Sequence, residues 1–222
     1  MAIVLALDAA LPVGTVAVLD GARLVAERAV AMKGAHEERL FPAVLAALAD
    51  AGATPRDVAR VVCGAGPGSF TSLRIAASIA KGLATGAGAT LAAVSSHALV
   101  IAGAPAGAVP AGRYLVATDA LRGECFASLV VVAADGTISE VGVARRTSAG
   151  AVPAAAQACG ARLAGPGREL DLAPHARGVA RLGPLSGAIV DVDLDAWEPD
   201  YGRLAEAQVK WEAVHGRPLP AS

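Results

Sequence analysis

The densest grouping of residues able to hold or turn over a ligand is Gly64-Ala65-Gly66-Pro67-Gly68-Ser69-Phe70-Thr71, directly after the apolar run Val58–Val62. Three glycines and a proline within five positions let a backbone turn sharply and approach a neighbour closely. Ser69 and Thr71 are residue types that cap helices by accepting from free first-turn N–H groups. A strand, a glycine loop and a helix start can together hold an anion, and can equally form a rigid corner that presents a helix. The nucleotide fingerprints do not fit. A P-loop places Lys and Ser/Thr after its second glycine to neutralise phosphate and bind the metal, and no lysine follows here. A G-x-G-x-x-G loop would need glycine where the chain has Ser69. Gly66, Pro67, Gly68, Ser69 and Thr71 therefore read as a structural turn.

Two carboxylates stand at matching places. Asp8 ends the apolar run AIVLALD, and Asp119 ends YLVATD. Such residues can hold Mg²⁺ beside a phosphate when glycines follow. Here Asp8 is followed by Ala9-Ala10-Leu11-Pro12 and Asp119 by Ala120-Leu121-Arg122, so both read as degenerate phosphate-site positions or as caps of strand ends. No two of His36, His97, His175 and His215 are close enough in sequence for H-x-x-x-H zinc chemistry, and there is no G-x-S-x-G elbow. Cys63, Cys125 and Cys159 form neither a CxxC motif nor an even set, which speaks for reduced thiols over disulfides or zinc. No metal and no cofactor is expected.

The elements that would position these residues follow from periodicity. Three strands come first, over 2–8, 15–19 and 23–30, with a hairpin at Asp20-Gly21. Residues 34–51 change period: Leu40, Val44 and Leu48 fall on one helical stripe, with Phe41 and Leu45 beside it and Glu37 and Glu38 in the first turn. A second helix over 71–84 carries Leu73, Ala76, Ala77, Ala80 and Leu83. Small residues three and four apart let another helix come close, so both helices either cover their own sheet or offer a face to a partner. The Gly/Pro/Ala stretch 103–112 is the best boundary in the chain. It divides a first lobe over 1–102 from a smaller lobe over 113–196 and a tail over 197–222, in which 204–214 has helical pattern. Of the 222 residues, 55% are hydrophobic but only 3% aromatic, so the core is built from small side chains. A formal net charge of −1 argues against a protein that binds nucleic acid alone through a broad basic surface. With neither a basic leader nor an uninterrupted apolar stretch of about 20 residues, the chain is expected to be cytoplasmic, with no membrane partner.

Both lobes begin with a strand ending in Asp, a turn and an amphipathic strand. This echo resembles the duplicated, two-lobed actin and sugar-kinase superfamily, an α/β fold of ribonuclease-H-like lobes with mixed sheets and flanking helices. More specifically, Gly66–Ala76, GPGSFTSLRIA, resembles the GPGSFTGLRIG hallmark of the TsaB (YeaZ) family. Leu5–Ala10, His36–Pro42, Ala117–Phe126 and Glu198–Arg203 resemble further blocks of that family in the same order.

The resemblance implies a subunit without its own catalysis, with a degraded nucleotide site. It would act in the transfer of threonylcarbamoyl to adenosine beside the anticodon of tRNAs that read codons starting with A. It further implies a heterodimer with catalytic TsaD, joined by the ATPase TsaE, often a homodimer of the isolated protein, and contact with tRNA only within the complex. The interface helices would match 34–51 and 71–84, which makes His36, Leu40, Val44, Leu48, Leu73, Ala76, Ala77, Ala80 and Leu83 the expected partner-binding residues. Ser72 and Ala76 stand where the family has glycine, and Ala9-Ala10 replace a Thr-rich pair. The alternative from another class is an enzyme acting alone, an actin-fold phosphotransferase or a glycoprotease-type metallopeptidase.

Overall fold

The computed structural model describes residues 2–32, 38–182, 187–201, 211 and 214–216. The first sheet starts as the expected meander of β1 (Ile3–Asp8), β2 (Val13–Asp20) and β3 (Arg23–Ala31). It continues through α1 (Leu40–Asp50), β4 (Val58–Gly64), α2 (Phe70–Ala87), β5 (Thr90–Val94) and α3 (Ser96–Ala102). The second sheet follows with β6 (Gly112–Leu121), β7 (Glu124–Val132), β8 (Ile138–Ser148), α4 (Val152–Ala158), β9 (Arg162–Gly165) and β10 (Leu170–Asp171), and β11 (Ile189–Asp191) closes the series. Strand order is β3-β2-β1-β4-β5-β11 in one sheet and β8-β7-β6-β9-β10 in the other. In each, an antiparallel meander sets its first strand beside a parallel strand, β1 with β4 and β6 with β9. The repeat of this order is the duplicated two-sheet α/β architecture expected from the echo of Asp8 and Asp119. β11 pairs with β5, so residues 189–191 return to the first sheet.

Helix boundaries differ from the sequence reading at both ends of the helical region. α1 starts at Leu40 rather than at 34, because Glu38 stands ahead of it: its carboxylate accepts the N–H groups of Leu40 at 2.5 Å and Phe41 at 3.1 Å. This replaces the expected placement of Glu38 within the first turn and supplies the cap that Arg39 does not. α2 runs on to Ala87, so Gly82 and Gly86 lie inside it, and the chain leaves through Gly88 in the left-handed region (φ 65°). Ser69 occupies the N-cap position of α2 without making a side-chain cap; its hydroxyl accepts from Ser72 instead. Most of the helical pattern over 204–214 falls outside the described residues, as does His36. Among the described residues, no helix is long and apolar enough to cross a membrane.

The centre of the molecule is α3, every residue of which is buried. One continuous cluster joins Leu99, Val100 and Ile101 of α3 to Ala6, Ala17 and Val62 of the first sheet and to Val116, Val130 and Ile138 of the second. Burial of each Leu, Val or Ile side chain among them stabilises by about 1.5–3 kcal/mol. The sheets are therefore welded across α3, and the shortness of these side chains lets them approach it from both sides. The 3-10 turn Ala176–Ala180 secures the far end: Arg181 donates to the carbonyls of Ile101 and Ala102, and Arg177 to that of Gly103.

His97 is the polar exception in this core. Its ring nitrogens meet the hydroxyls of Ser128 at 2.8 Å and Thr118 at 2.9 Å, tying α3 to β7 and β6. Burial lowers its pKa to about 4. The unfolded chain, with an ordinary imidazole, takes up this proton first, so folding stability is lost as pH falls from about 6.5 towards 4, by about 3 kcal/mol in all. Urea unfolding at pH 7 and pH 4.5 measures this, and His97→Gln, which keeps hydrogen-bonding groups but cannot titrate, is expected to lose distinctly less stability over that interval.

Candidate functional site

The glycine corner between β4 and α2 lies where β1, β5 and α3 meet, and its polar groups are spent on the chain itself. Ser96 Oγ donates to Asp8 Oδ2 at 2.5 Å and accepts the Gly66 N–H at 3.1 Å, while the Gly66 carbonyl accepts the Ser96 N–H at 2.9 Å. The second Asp8 oxygen accepts the Ala10 N–H. Asp8 is 1% exposed, and burial raises its pKa against the opposing effect of the Ser96 and Ala10 hydrogen bonds. Burial, with the Asp8 charge beside it, also pushes the Cys63 thiol well up, so this thiol is no nucleophile. The Ala65 N–H donates to Val94 and the Ser69 N–H to Ala10. The N–H groups of Ala65, Gly66 and Ser69 are thus engaged by β5, by the Ser96 hydroxyl and by the turn after β1.

Two glycines are required here by space. A Cβ at Gly64 would stand 2.0 Å from Asp8 Oδ2. Gly66, at φ +88°, would drive a Cβ to 2.3 Å from the Asp200 carbonyl. That second contact belongs to a strap. Asp200 N–H donates to Ala65, and Tyr201 lies against Phe70 with ring centroids 4.5 Å apart. Arg74 covers the Phe70 ring at 5.2 Å. Two blocks far apart in sequence, Gly66–Ala76 and Glu198–Tyr201, form one surface.

Asp119, at the matching place of the second sheet, does not mirror Asp8 chemically. It is exposed, and its Oδ1 accepts the Leu121 N–H at 2.8 Å within a turn where Leu121 and Arg122 both take positive φ. The two aspartates thus hold a strand end and a turn. Beside Asp119 a cleft of about 390 Å³ runs past Leu11, Pro12, Ser69, Phe126 and Arg168. Among the described residues, no group of three or more His, Cys, Asp or Glu is placed to hold a metal ion.

The two helices require a correction. Leu40, Val44 and Leu48 of α1 and Leu73, Ala76, Ala77, Ala80 and Leu83 of α2 are buried within the chain. Most of them pack with Leu5, Val16 and Val61 of their own sheet. They are core, because the alanine stripe that would admit a partner helix admits the sheet first. What remains uncovered is the neighbouring stripe. Phe41 and Leu45 of α1 are each 40% exposed. Ile75 and Ile79 are half-buried on α2, along a groove of about 490 Å³ that also takes in Glu38, Thr71, Arg74 and Ser78. Sequence reasoning placed Phe41 and Leu45 only beside the chosen stripe. The signal was present as a helix apolar on more than one side. Ser96 and His97 carried no such signal, since their roles depend on residues some twenty to ninety positions away.

The comparisons agree with this geometry. A family model described as "TsaD: tRNA N6-adenosine threonylcarbamoyltransferase" matches residues 29–157. An uncharacterized protein of Mycobacterium tuberculosis is 41% identical over 134 residues, 55% of this chain and 56% of that protein. The tRNA threonylcarbamoyladenosine biosynthesis protein TsaB of Escherichia coli is 39% identical over 93 residues, 41% of this chain and 39% of the relative. The chain thus spans about half the length, or less, of the curated relatives it matches. A crystal structure described as an uncharacterized protein with similarity to peptidase YeaZ, from Pseudomonas aeruginosa, superposes with a TM-score of 0.75 at 28% identity over 91% of this chain and 100% of that one. The structure of YeaZ from Pseudomonas aeruginosa gives a TM-score of 0.73 at 26% identity, over 90% and 100%.

The close approach of β4 to Asp8 yields a double-mutant test. Gly64→Ala is expected to destabilise by about 2–4 kcal/mol through the clash with the Asp8 carboxylate. Gly64→Ala combined with Asp8→Ala is expected to be less destabilised than the sum of the single variants, since the clashing atom is gone. Denaturant midpoints of the three variants check this, and strict additivity would contradict it.

Proposed function

This chain belongs to the TsaB (YeaZ) family, and we propose that it serves as a non-catalytic activating and dimerisation subunit of the machinery that transfers threonylcarbamoyl to adenosine beside the tRNA anticodon. Involvement in threonylcarbamoyladenosine synthesis rests on the printed function of its TsaB relatives. The partners in this reading are a TsaD-type catalytic subunit and a TsaE-type ATPase, with tRNA met only in the complex and the cytoplasm as the site of action. The first lobe, 1–102, carries the docking helices. The second sheet forms the smaller lobe in this reading, although residues 189–191 of the expected span 113–196 return to the first sheet.

The observation that carries the reading is the second apolar stripe on the same two helices. α1 and α2 cover their sheet with Leu40, Val44, Ala76 and Ala80 and still present Phe41, Leu45, Ile75 and Ile79 outward. A helix needs one stripe to cover a sheet; a second, next to a groove, suits a partner helix. The state of the glycine corner adds support, since a residue placed to serve a phosphotransferase would not have its carboxylate sealed by Ser96 and Ala10.

The reading is tested by reconstitution. The purified chain alone is expected neither to hydrolyse ATP nor to modify tRNA, and addition of the TsaD and TsaE homologues is expected to give threonylcarbamoyladenosine. Sustained ATP turnover by the lone chain would sink it. On the surface, Leu45→Arg or Ile79→Arg is expected to remove the heterodimer in gel filtration while leaving the unfolding temperature close to that of the parent. Ala80→Arg is expected to unfold the chain, because Ala80 is 0% exposed. An intact complex with both surface variants would place the interface elsewhere.

A further inference from the structure

We propose that the interlobe cleft is a binding site for a small zwitterion with an apolar side chain, an α-amino acid. The cleft is about 390 Å³, within the range of small-molecule sites. Its walls are apolar, formed by Leu11 and Pro12 of the β1–β2 turn and Phe126 of β7. Two charged groups line it. Arg168 is half-buried and donates one N–H to Cys125 Sγ at 3.0 Å, a soft and weak acceptor. Among the described residues, no carboxylate pairs with it. A guanidinium in a cleft with its fork uncommitted suits a ligand carboxylate, which it can grip bidentately. Asp119 supplies the opposite charge: one oxygen takes the Leu121 N–H, and the other has no partner among the described residues. A ligand ammonium fits there.

The alternative anion, a nucleotide phosphate, is opposed by two features. The Ser69 N–H that would meet a phosphate at the start of α2 is already given to the Ala10 carbonyl. The cleft lining holds a single cation together with Asp119, so a multiply charged phosphate would face an uncompensated carboxylate. One positive and one negative group with apolar walls complement a ligand that carries one of each and a hydrocarbon side chain.

The experiment uses the isolated full chain, without partners or tRNA, so its outcome is separate from that of the docking reading. Isothermal titration calorimetry with L-leucine as probe is expected to show saturable binding at or below millimolar concentration, that is about −4 kcal/mol or better. Leucine methyl ester and N-acetyl-leucine, which lack the carboxylate and ammonium charge respectively, are expected not to bind. Arg168→Met is expected to weaken leucine binding at least about tenfold, roughly the loss of one charge-assisted contact. Asp119→Asn, which keeps the Leu121 hydrogen bond, is expected to weaken leucine binding alone. Circular dichroism and the unfolding temperature establish that both variants are folded, and Arg168→Lys, which keeps the charge, is expected to retain part of the affinity. Absence of leucine binding, equal binding of the ester, or binding of AMP or inorganic phosphate in its place would overturn the proposal.

Discussion

The structure depends on one hydroxyl. Ser96, the first residue of α3, joins the end of β1 through Asp8 and the glycine corner through Gly66. The three segments have no sequence proximity, and each brings a polar group that would be costly to bury alone. With Ser96 between them, a carboxylate, an N–H and a carbonyl are all satisfied inside an apolar core. The price is paid in space: β4 must carry glycine at position 64, because Asp8 fills the volume any side chain would take. Once α3 is seated there, its aliphatic residues fall between the two sheets and weld them.

That seating governs what the fold can be used for. A two-sheet architecture of this type can place a phosphate between its first hairpins when glycine N–H groups and a free carboxylate face the gap. Here the N–H groups of Ala65, Gly66 and Ser69 are engaged by neighbouring segments, and Asp8 is enclosed. The same commitments that remove a phosphate cradle stiffen the corner and fix the direction in which α2 leaves it. The strap through Asp200 and Tyr201 stiffens it from the outside, against Ala65 and Phe70. A rigid corner followed by an 18-residue helix is a platform, and α1 lies beside it with its own uncovered apolar residues.

Much of the fold was legible from local patterns. Strand periodicity set the meander of β1 to β3, and Asp20-Gly21 marked the turn between β2 and β3. The echo of strand, Asp and turn announced the duplicated strand order seen in the two sheets. Local patterns failed where a remote group replaced a local one. Glu38 looked like a first-turn residue of a longer helix and instead caps a shorter one from outside. The second helix was read as ending at 84, yet α2 continues through Gly86 to Ala87. The small-residue stripe of α2 looked like a docking face; it is what lets β4 and β1 sit close beneath the helix.

By itself the sequence determined which segments are strands and helices, that the chain repeats one supersecondary plan, and to which family its motifs belong. These follow from period, turn chemistry and short exact blocks, all of them local properties of the chain. Only the tertiary structure decided which side of each helix is core, that Asp8 is sealed while Asp119 is open, and that His97 and Ser96 tie α3 to both sheets. The reason is physical. An apolar stripe has the same pattern whether it meets its own sheet or a partner, and a carboxylate has the same letter whether Ser96 or water answers it. Burial and hydrogen-bond partners are settled by what the rest of the chain brings to the same place.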